Sequence, residues 1–302
     1  MSDKQIPMLV YNAMFKAVFS NNKQVLSKLI EAILDYLKLN IDIKNKELIL
    51  KNTELPINNH LDKQLICDYI INLNEYTDLN IEINKTFYPG LTERNMTYSF
   101  KIYYEHFKTG DKNAEYNKFN LLQVNFNNFS NPNNKTINKF FLIDTDDLTN
   151  VLSKNLLIVN IDIASCFNLA YNSTKLTDVS SLERFAGILY AKTLKDISLI
   201  LGGDILSMAE KEQFLNDVER AARDKKIQED LRLEETLEYR FALVEEDAFE
   251  RGKNLGIEQG IKQNTLDIIK EMLKNNTDLE FISKVTNKSI DEIEQIKNSL
   301  NK

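Results

Sequence analysis

Apolar positions change their period along the chain, and the change divides it. Between residues 8 and 38 they recur at spacings of three and four: Met14, Phe15, Val18 and Phe19, then Val25, Leu26, Leu29, Ile30, Ile33, Leu34 and Leu37. That spacing predicts two helices. Ser20-Asn21-Asn22 separates them and offers capping side chains for the second. Residues 39–64 mix short alternating segments at 41–44 and 48–50 with a polar, Pro-containing loop. Residues 65–85 then read as two apolar strands around a short polar turn, a predicted hairpin. After Tyr88-Pro89-Gly90, residues 91–109 predict an amphipathic helix that turns Met96, Phe100, Tyr103, Tyr104 and Phe107 inward and stops at Gly110-Asp111.

Segments 121–126, 139–144 and 156–163 are strand-like, with an Asn-rich loop over 127–138. From 181 onward the period is helical. Residues 181–201 are apolar, 208–250 are long and highly charged, and short helices follow at 264–274, 278–285 and 289–300, the last capped by Ser289. The order predicts an α/β core over residues 1–180 and an all-α C-terminal region over 181–302. An all-helical scaffold conflicts with the strand-rich middle.

Composition narrows the class. The 302 residues are 43% hydrophobic, enough to bury a sizeable core. The net charge of −7 argues against general affinity for nucleic acid, but it is unevenly spread. Residues 1–120 carry 15 basic and 15 acidic side chains, whereas 208–260 carry 9 and 15. The acidity therefore lies away from the hairpin, and a nucleic-acid substrate stays open. Cys67 and Cys166 sit in apolar surroundings and read as reduced core thiols. The first residues lack a signal-peptide pattern, and no apolar run approaches the roughly 20 residues that span a bilayer. The expectation is a cytoplasmic protein with no membrane partner.

Candidate chemistry is sparse. His60 and His106 are too scattered for a zinc site or a triad, and no Ser or Cys has the setting of a nucleophile. Asp68 and Glu82 stand out, one in each apolar strand of the hairpin. Carboxylates in such runs are costly to bury unless paired, hydrogen-bonded or bound to a cation. Together they are hard oxygen donors that suit Mg²⁺; apart, they are strand-end carboxylates facing water. Lys16 sits among the apolar residues of the first helix and reads as an amphipathic stem reaching water. Arg94 and Lys101, two turns apart, are either solvated surface or phosphate contacts. Gly252, Gly256 and Gly260 line one helix face, which permits close docking or self-association and equally fits a lax helical linker.

An Asp on one strand followed by Glu-x-(Lys or Gln) on the next is the PD-(D/E)xK nuclease signature. The segment Tyr11-Asn-Ala-Met-Phe-Lys-Ala-Val-Phe19 resembles the Asp-x-x-Phe-Lys-x-x-Phe opening of Rpn-type recombination-promoting nucleases, the PD-(D/E)xK family transposases. Ile81-Glu-Ile-Asn84 resembles their Ile-Glu-x-Gln strand, and Arg94, Tyr98 and Tyr104, closing at Gly110, resemble their Arg-Tyr helix. The glycine ladder and the terminal helices around Ile282 and Ile290 are similar to their C-terminal tail.

The resemblance implies a restriction-endonuclease-like core, a mixed sheet flanked by helices, that cleaves DNA. It implies Mg²⁺ or Mn²⁺ held by Asp68 and Glu82, with Asn12 near the metal and Asn84 orienting water. Lys16, Lys85, Arg94 and Lys101 would meet the nucleic acid, and the C-terminal helices would support a homo-oligomer. Two positions depart from the family. Asn12 stands where the family has Asp, and Asn84 where it has Gln or Lys. Lys85 is adjacent, but strand alternation turns it to the opposite face unless a bulge intervenes. A catalytically decayed member that binds DNA or a protein partner is the alternative.

Overall fold

The computed structural model describes residues 3, 5–43, 48–50, 54–55, 65–107 and 118–300. Expected features at 44, His60, Gly110 and Asp111 lie outside them. The chain opens with α1 (Asn12–Phe19) and α2 (Lys23–Leu37), whose periodic apolar residues are buried except for the half-buried Leu37; Asn22 caps α2 through Val25 N–H. Short strands β1 (Ile49–Leu50), β2 (Glu54–Leu55) and β3 (Leu65–Ile66) lead into the hairpin of β4 (Tyr69–Asn74) and β5 (Thr77–Asn84). Then come α3 (Leu91–Phe107), β6 (Asn120–Asn127), β7 (Ile137–Ile143) and β8 (Val151–Asp162). Helices α4 (Ile163–Tyr171), α5 (Ser181–Tyr190), α6 (Leu194–Leu201), α7 (Met208–Arg223), α8 (Lys225–Lys274), α9 (Leu279–Thr286) and α10 (Ile290–Leu300) complete the chain.

Six strands form a mixed sheet in the order β1-β4-β5-β6-β8-β7. The central strands β5, β6 and β8 are parallel, and β1, β4 and β7 pair antiparallel with their neighbours. Alternation gives the sheet two unlike faces. Leu79, Ile81, Leu122, Val124, Phe126, Leu157, Val159 and Ile161 bury into the main core with α1, α2 and α4–α7. The opposite face, under α3, has apolar residues only toward one end, where Cys67, Ile70, Tyr98, Ile102, Phe119 and Leu121 pack together. Elsewhere it is polar.

That polarity overturns part of the expectation for α3. Phe100 and Tyr104 are about half exposed, while Asn95, Tyr98, Ser99 and Ile102 are buried. The helix turns its smaller and more polar residues to a sheet face that is itself polar.

Two compact units emerge, Met1–Arg232 and Leu233–Lys302. The division falls well beyond 180, where the strand pattern ends, because α5–α7 bury Phe185, Ile188, Ile197 and Phe214 in the same core as the sheet. The long charged stretch expected over 208–250 is broken at Asp224, and the helix expected at 264–274 is the end of α8. In the second unit Ile269, Ile282 and Ile293 form a small core. Gly252, Gly256 and Gly260 lie within α8 with open space around each missing Cβ, so among the described residues nothing docks on that face. Among them, too, no helix is long and apolar enough to cross a membrane.

One close approach fixes α4 against α5. A Cβ on Gly187 would lie 3.1 Å from the Phe167 backbone N and Cα. Ala is favoured over Gly within a helix by roughly 1 kcal/mol, but forcing two backbones apart in a packed core costs about 1–3 kcal/mol. Gly187→Ala is therefore expected to lower the unfolding free energy by about 1 kcal/mol in urea titration. A gain in stability would show that the helices part freely.

Candidate active site

The antiparallel register of β4 and β5 ends at Tyr69 opposite Ile81. One residue further, the chain bends at Asp68, which lies alongside Glu82 and Ile83. The Ile83 N–H donates to Asp68 Oδ2 at 2.8 Å, and Asn12 Nδ2, from the first turn of α1, donates to Asp68 Oδ1 at 3.0 Å. Glu82 sits on the polar face of β5 and is fully buried. Its Oε1 accepts from Asn80 Nδ2 at 3.1 Å. Its Oε2 lies 3.5 Å from Arg94 Nη2, an ionic contact without hydrogen-bond geometry, and has no hydrogen-bond partner among the described residues.

The face around Glu82 is built from amides. Asn80 Nδ2 also donates to Gln123 Oε1, Gln123 Nε2 to Asn125 Oδ1, and Asn125 Nδ2 to Asn160 Oδ1, each at 2.7–2.8 Å. Asn84 Nδ2 donates to Asn127 Oδ1 at 2.9 Å, which leaves Asn84 Oδ1 buried without a partner among the described residues. Ser99 on α3 closes the lattice with a 2.9 Å bond to Gln123 Oε1. Sequence reading missed Asn80, Gln123, Asn125, Asn127 and Asn160. The signal was present, since every second residue of Asn80-Ile-Glu82-Ile-Asn84 and Gln123-Val-Asn125-Phe-Asn127 is polar.

Electrostatics follow from this burial. Removal from water pushes Glu82 up to about 8, and the nearby Asp68 charge adds to the shift while Arg94 opposes it. Asp68 is also raised by burial, against the Ile83 N–H, Lys16, Arg94 and Asn12. The Cys67 thiol is pushed up by burial and by Glu82, and is neutral. Both cysteines are buried and free, as their apolar settings predict.

The residues singled out from the sequence are only partly brought together. Asp68, Glu82, Asn12, Asn84 and Arg94 converge, and Lys16 is close enough to act on Asp68. Arg94 also donates to Tyr88 Oη at 2.7 Å and stacks over Tyr98 with 5.1 Å to the ring centroid. Lys85 turns to the opposite face, as alternation requires, and its Nζ sits 3.8 Å from the Tyr11 ring centroid. Lys101 lies two turns along α3 from Arg94 and pairs with Glu105 at 3.0 Å.

A divalent cation fits the donor set. Asp68 and Glu82 supply hard oxygens, and Glu82 Oε2 is a buried carboxylate oxygen that lacks a hydrogen bond among the described residues. Mg²⁺ is commonly held by one or two carboxylates, with waters and phosphate completing its shell. Among the described residues no cluster of three acidic, His or Cys ligands exists, so further ligands would have to be amide, backbone, water or substrate oxygens.

Fold and site together define a nuclease-like α/β core. The chain belongs to the PD-(D/E)XK nuclease family transposases, whose family model matches residues 11–236. The match spans the sheet, its helices and both carboxylates, and members of this family generally depend on a divalent metal. Comparisons with curated proteins and with solved structures gave no significant match.

Burial of Glu82 makes stability depend on pH. Between its ordinary value of 4.5 and about 8 the folded protein keeps a proton that the unfolded chain has released. Stability of the metal-free protein should therefore fall as pH rises across that window and level off above it. Glu82→Gln should remove this slope, so that its stability relative to wild type improves by on the order of 2–4 kcal/mol from pH 5 to 8. Denaturant titration in EDTA reads the difference; parallel pH profiles would mean that Glu82 is ionised throughout.

Proposed function

We propose that this chain is a divalent-metal-dependent DNA endonuclease of the recombination-promoting type. The observation that carries the proposal is the buried Glu82 carboxylate beside Asp68, with one oxygen left without a hydrogen bond among the described residues. Asp68 and Glu82 would hold Mg²⁺ or Mn²⁺, with the Asn12 carbonyl as a further oxygen. When bound, the ion activates water and neutralises charge on the scissile phosphate. Asn12 also orients Asp68 through its 3.0 Å bond. Asn84 Oδ1 can accept a hydrogen bond from the attacking water but cannot take its proton. Arg94, held by Tyr88 and Tyr98, is the cation beside Glu82 that an incoming phosphate would meet first. Lys16 balances Asp68, while Lys85 and Lys101 would contact the DNA backbone further out. The protein would act in the cytoplasm, with the C-terminal helices as a surface for self-association.

A plasmid-cleavage assay with Mg²⁺, Mn²⁺ and EDTA tests the proposal. Cleavage should need the metal and fall on the order of 10²–10³-fold in Asp68→Ala and in Glu82→Ala. Cleavage by both variants at the wild-type rate would sink it. Because Glu82 must lose its proton to bind, metal affinity should rise by up to about tenfold per pH unit below 8, as calorimetry can measure.

The tying of Asn84 to Asn127 and the lack of an acid at Asn12 favour a second reading, a decayed member that binds DNA or a protein. Asn12→Asp combined with Asn84→Gln separates the two. Activity that appears only in the double variant marks decay, and activity already present in the wild type excludes it.

A further inference from the structure

Beside the carboxylates lies a cavity of about 240 Å³, walled by Phe87, Phe100, Phe129 and Phe140 and lined also by Asn95, Asn125, Asn127 and Asn160. We propose that this cavity is a nucleobase pocket, which receives one base of the nucleic acid bound at Asp68 and Glu82. In assigning the neighbouring phosphate to those carboxylates, the proposal rests on the nuclease reading.

Size, charge and chemistry select the occupant. The volume falls below the roughly 300–1,000 Å³ of sites that enclose whole drug-sized ligands, so it suits a single ring system. Among the described residues no Lys, Arg, Asp or Glu lines the cavity, so they offer a phosphate or other ion no charged partner there. Its walls are aromatic, and Phe87 and Phe129 meet edge to face at 5.4 Å. Flat rings stack on such side chains whatever their sequence.

The polar lining supplies edge recognition. The Oδ1 atoms of Asn127 and Asn160 are used by Asn84 and Asn125, which leaves their Nδ2 groups as donors. Asn95, only 6% exposed, has an Oδ1 with no hydrogen-bond partner among the described residues. Amide side chains match the donor and acceptor edges of bases.

Position agrees. Asn125 pairs with Glu82 and Asn127 with Asn84 across β5 and β6, so two residues of the cavity lining stand one strand spacing, about 4.8 Å between backbones, from the strand that carries Glu82. A strand with its phosphate at Glu82 would direct an adjacent base over Asn125 and Asn127. To reach the cavity from a duplex, that base must leave the stack.

The test uses ¹⁵N-labelled full-length Glu82→Gln protein in EDTA, titrated with deoxyadenosine monophosphate, thymidine monophosphate and 2-deoxyribose 5-phosphate. The side-chain amide signals of Asn95, Asn127 and Asn160 should shift with the nucleotides and not with the sugar phosphate. Phe87→Ala, at a rim position 59% exposed, should weaken nucleotide binding about tenfold and keep the folded spectrum. Asn95→Ala should weaken it too. Equal shifts with the sugar phosphate, or none with any nucleotide, would overturn the pocket. Wild-type plasmid cleavage separates the two ideas. Base-dependent shifts without cleavage retain the pocket and remove the nuclease, while cleavage without such shifts removes the pocket alone.

Discussion

A carboxylate fully removed from water, with one oxygen lacking a hydrogen bond among the described residues, is the constraint on which the centre of this molecule depends. Glu82 could sit on an ordinary apolar sheet face only at a large desolvation cost. Its surroundings lessen that cost: Asn80 donates to one oxygen, Arg94 approaches the other, and the neighbouring strands present amides instead of aliphatic side chains. Asn80, Gln123 and Asn125 are themselves buried and need partners of their own. The polar character thus spreads from β5 through Gln123 and Asn125 to Asn160, until the lattice reaches the far parallel strand.

The same constraint shapes α3. A helix over an apolar sheet would turn its aromatic stripe inward, whereas α3 places Asn95 and Ser99 against the amides and leaves Phe100 and Tyr104 half exposed. Of these two, Phe100 helps to wall the cavity. A polar floor with aromatic walls is one result of packing an amphipathic helix on a sheet that carries a buried acid.

Much of this was legible in the residues. The three- and four-residue spacings of α1 and α2, the period of two in β5 and the helical C-terminal region all follow from side-chain periodicity. The inward face of α3 was not legible, because it depends on the polarity of a surface three strands wide. Nor was the extent of the first compact unit, since burial of Phe214 in the sheet's core is a long-range contact with no local signature. At the site, alternation placed Glu82 and Asn84 on one face and Lys85 on the other. The convergence of Asn12 on Asp68, 56 positions away, came from family resemblance and not from any pattern within the chain.

The mixed polarity of the sheet carries a kinetic consequence. Strands β4 and β5 meet through a tight turn, but β5 and β6 are parallel and need the α3 crossover, and β6 reaches β8 only past β7. Local pairs close before distant ones when topology sets the order of folding. On that order Asp68 and Glu82 come together early, in water, and lose their hydration only when α3 and the parallel strands arrive. The cost of burying the acid then falls late in assembly, on the side of the barrier that governs how fast the native state reopens.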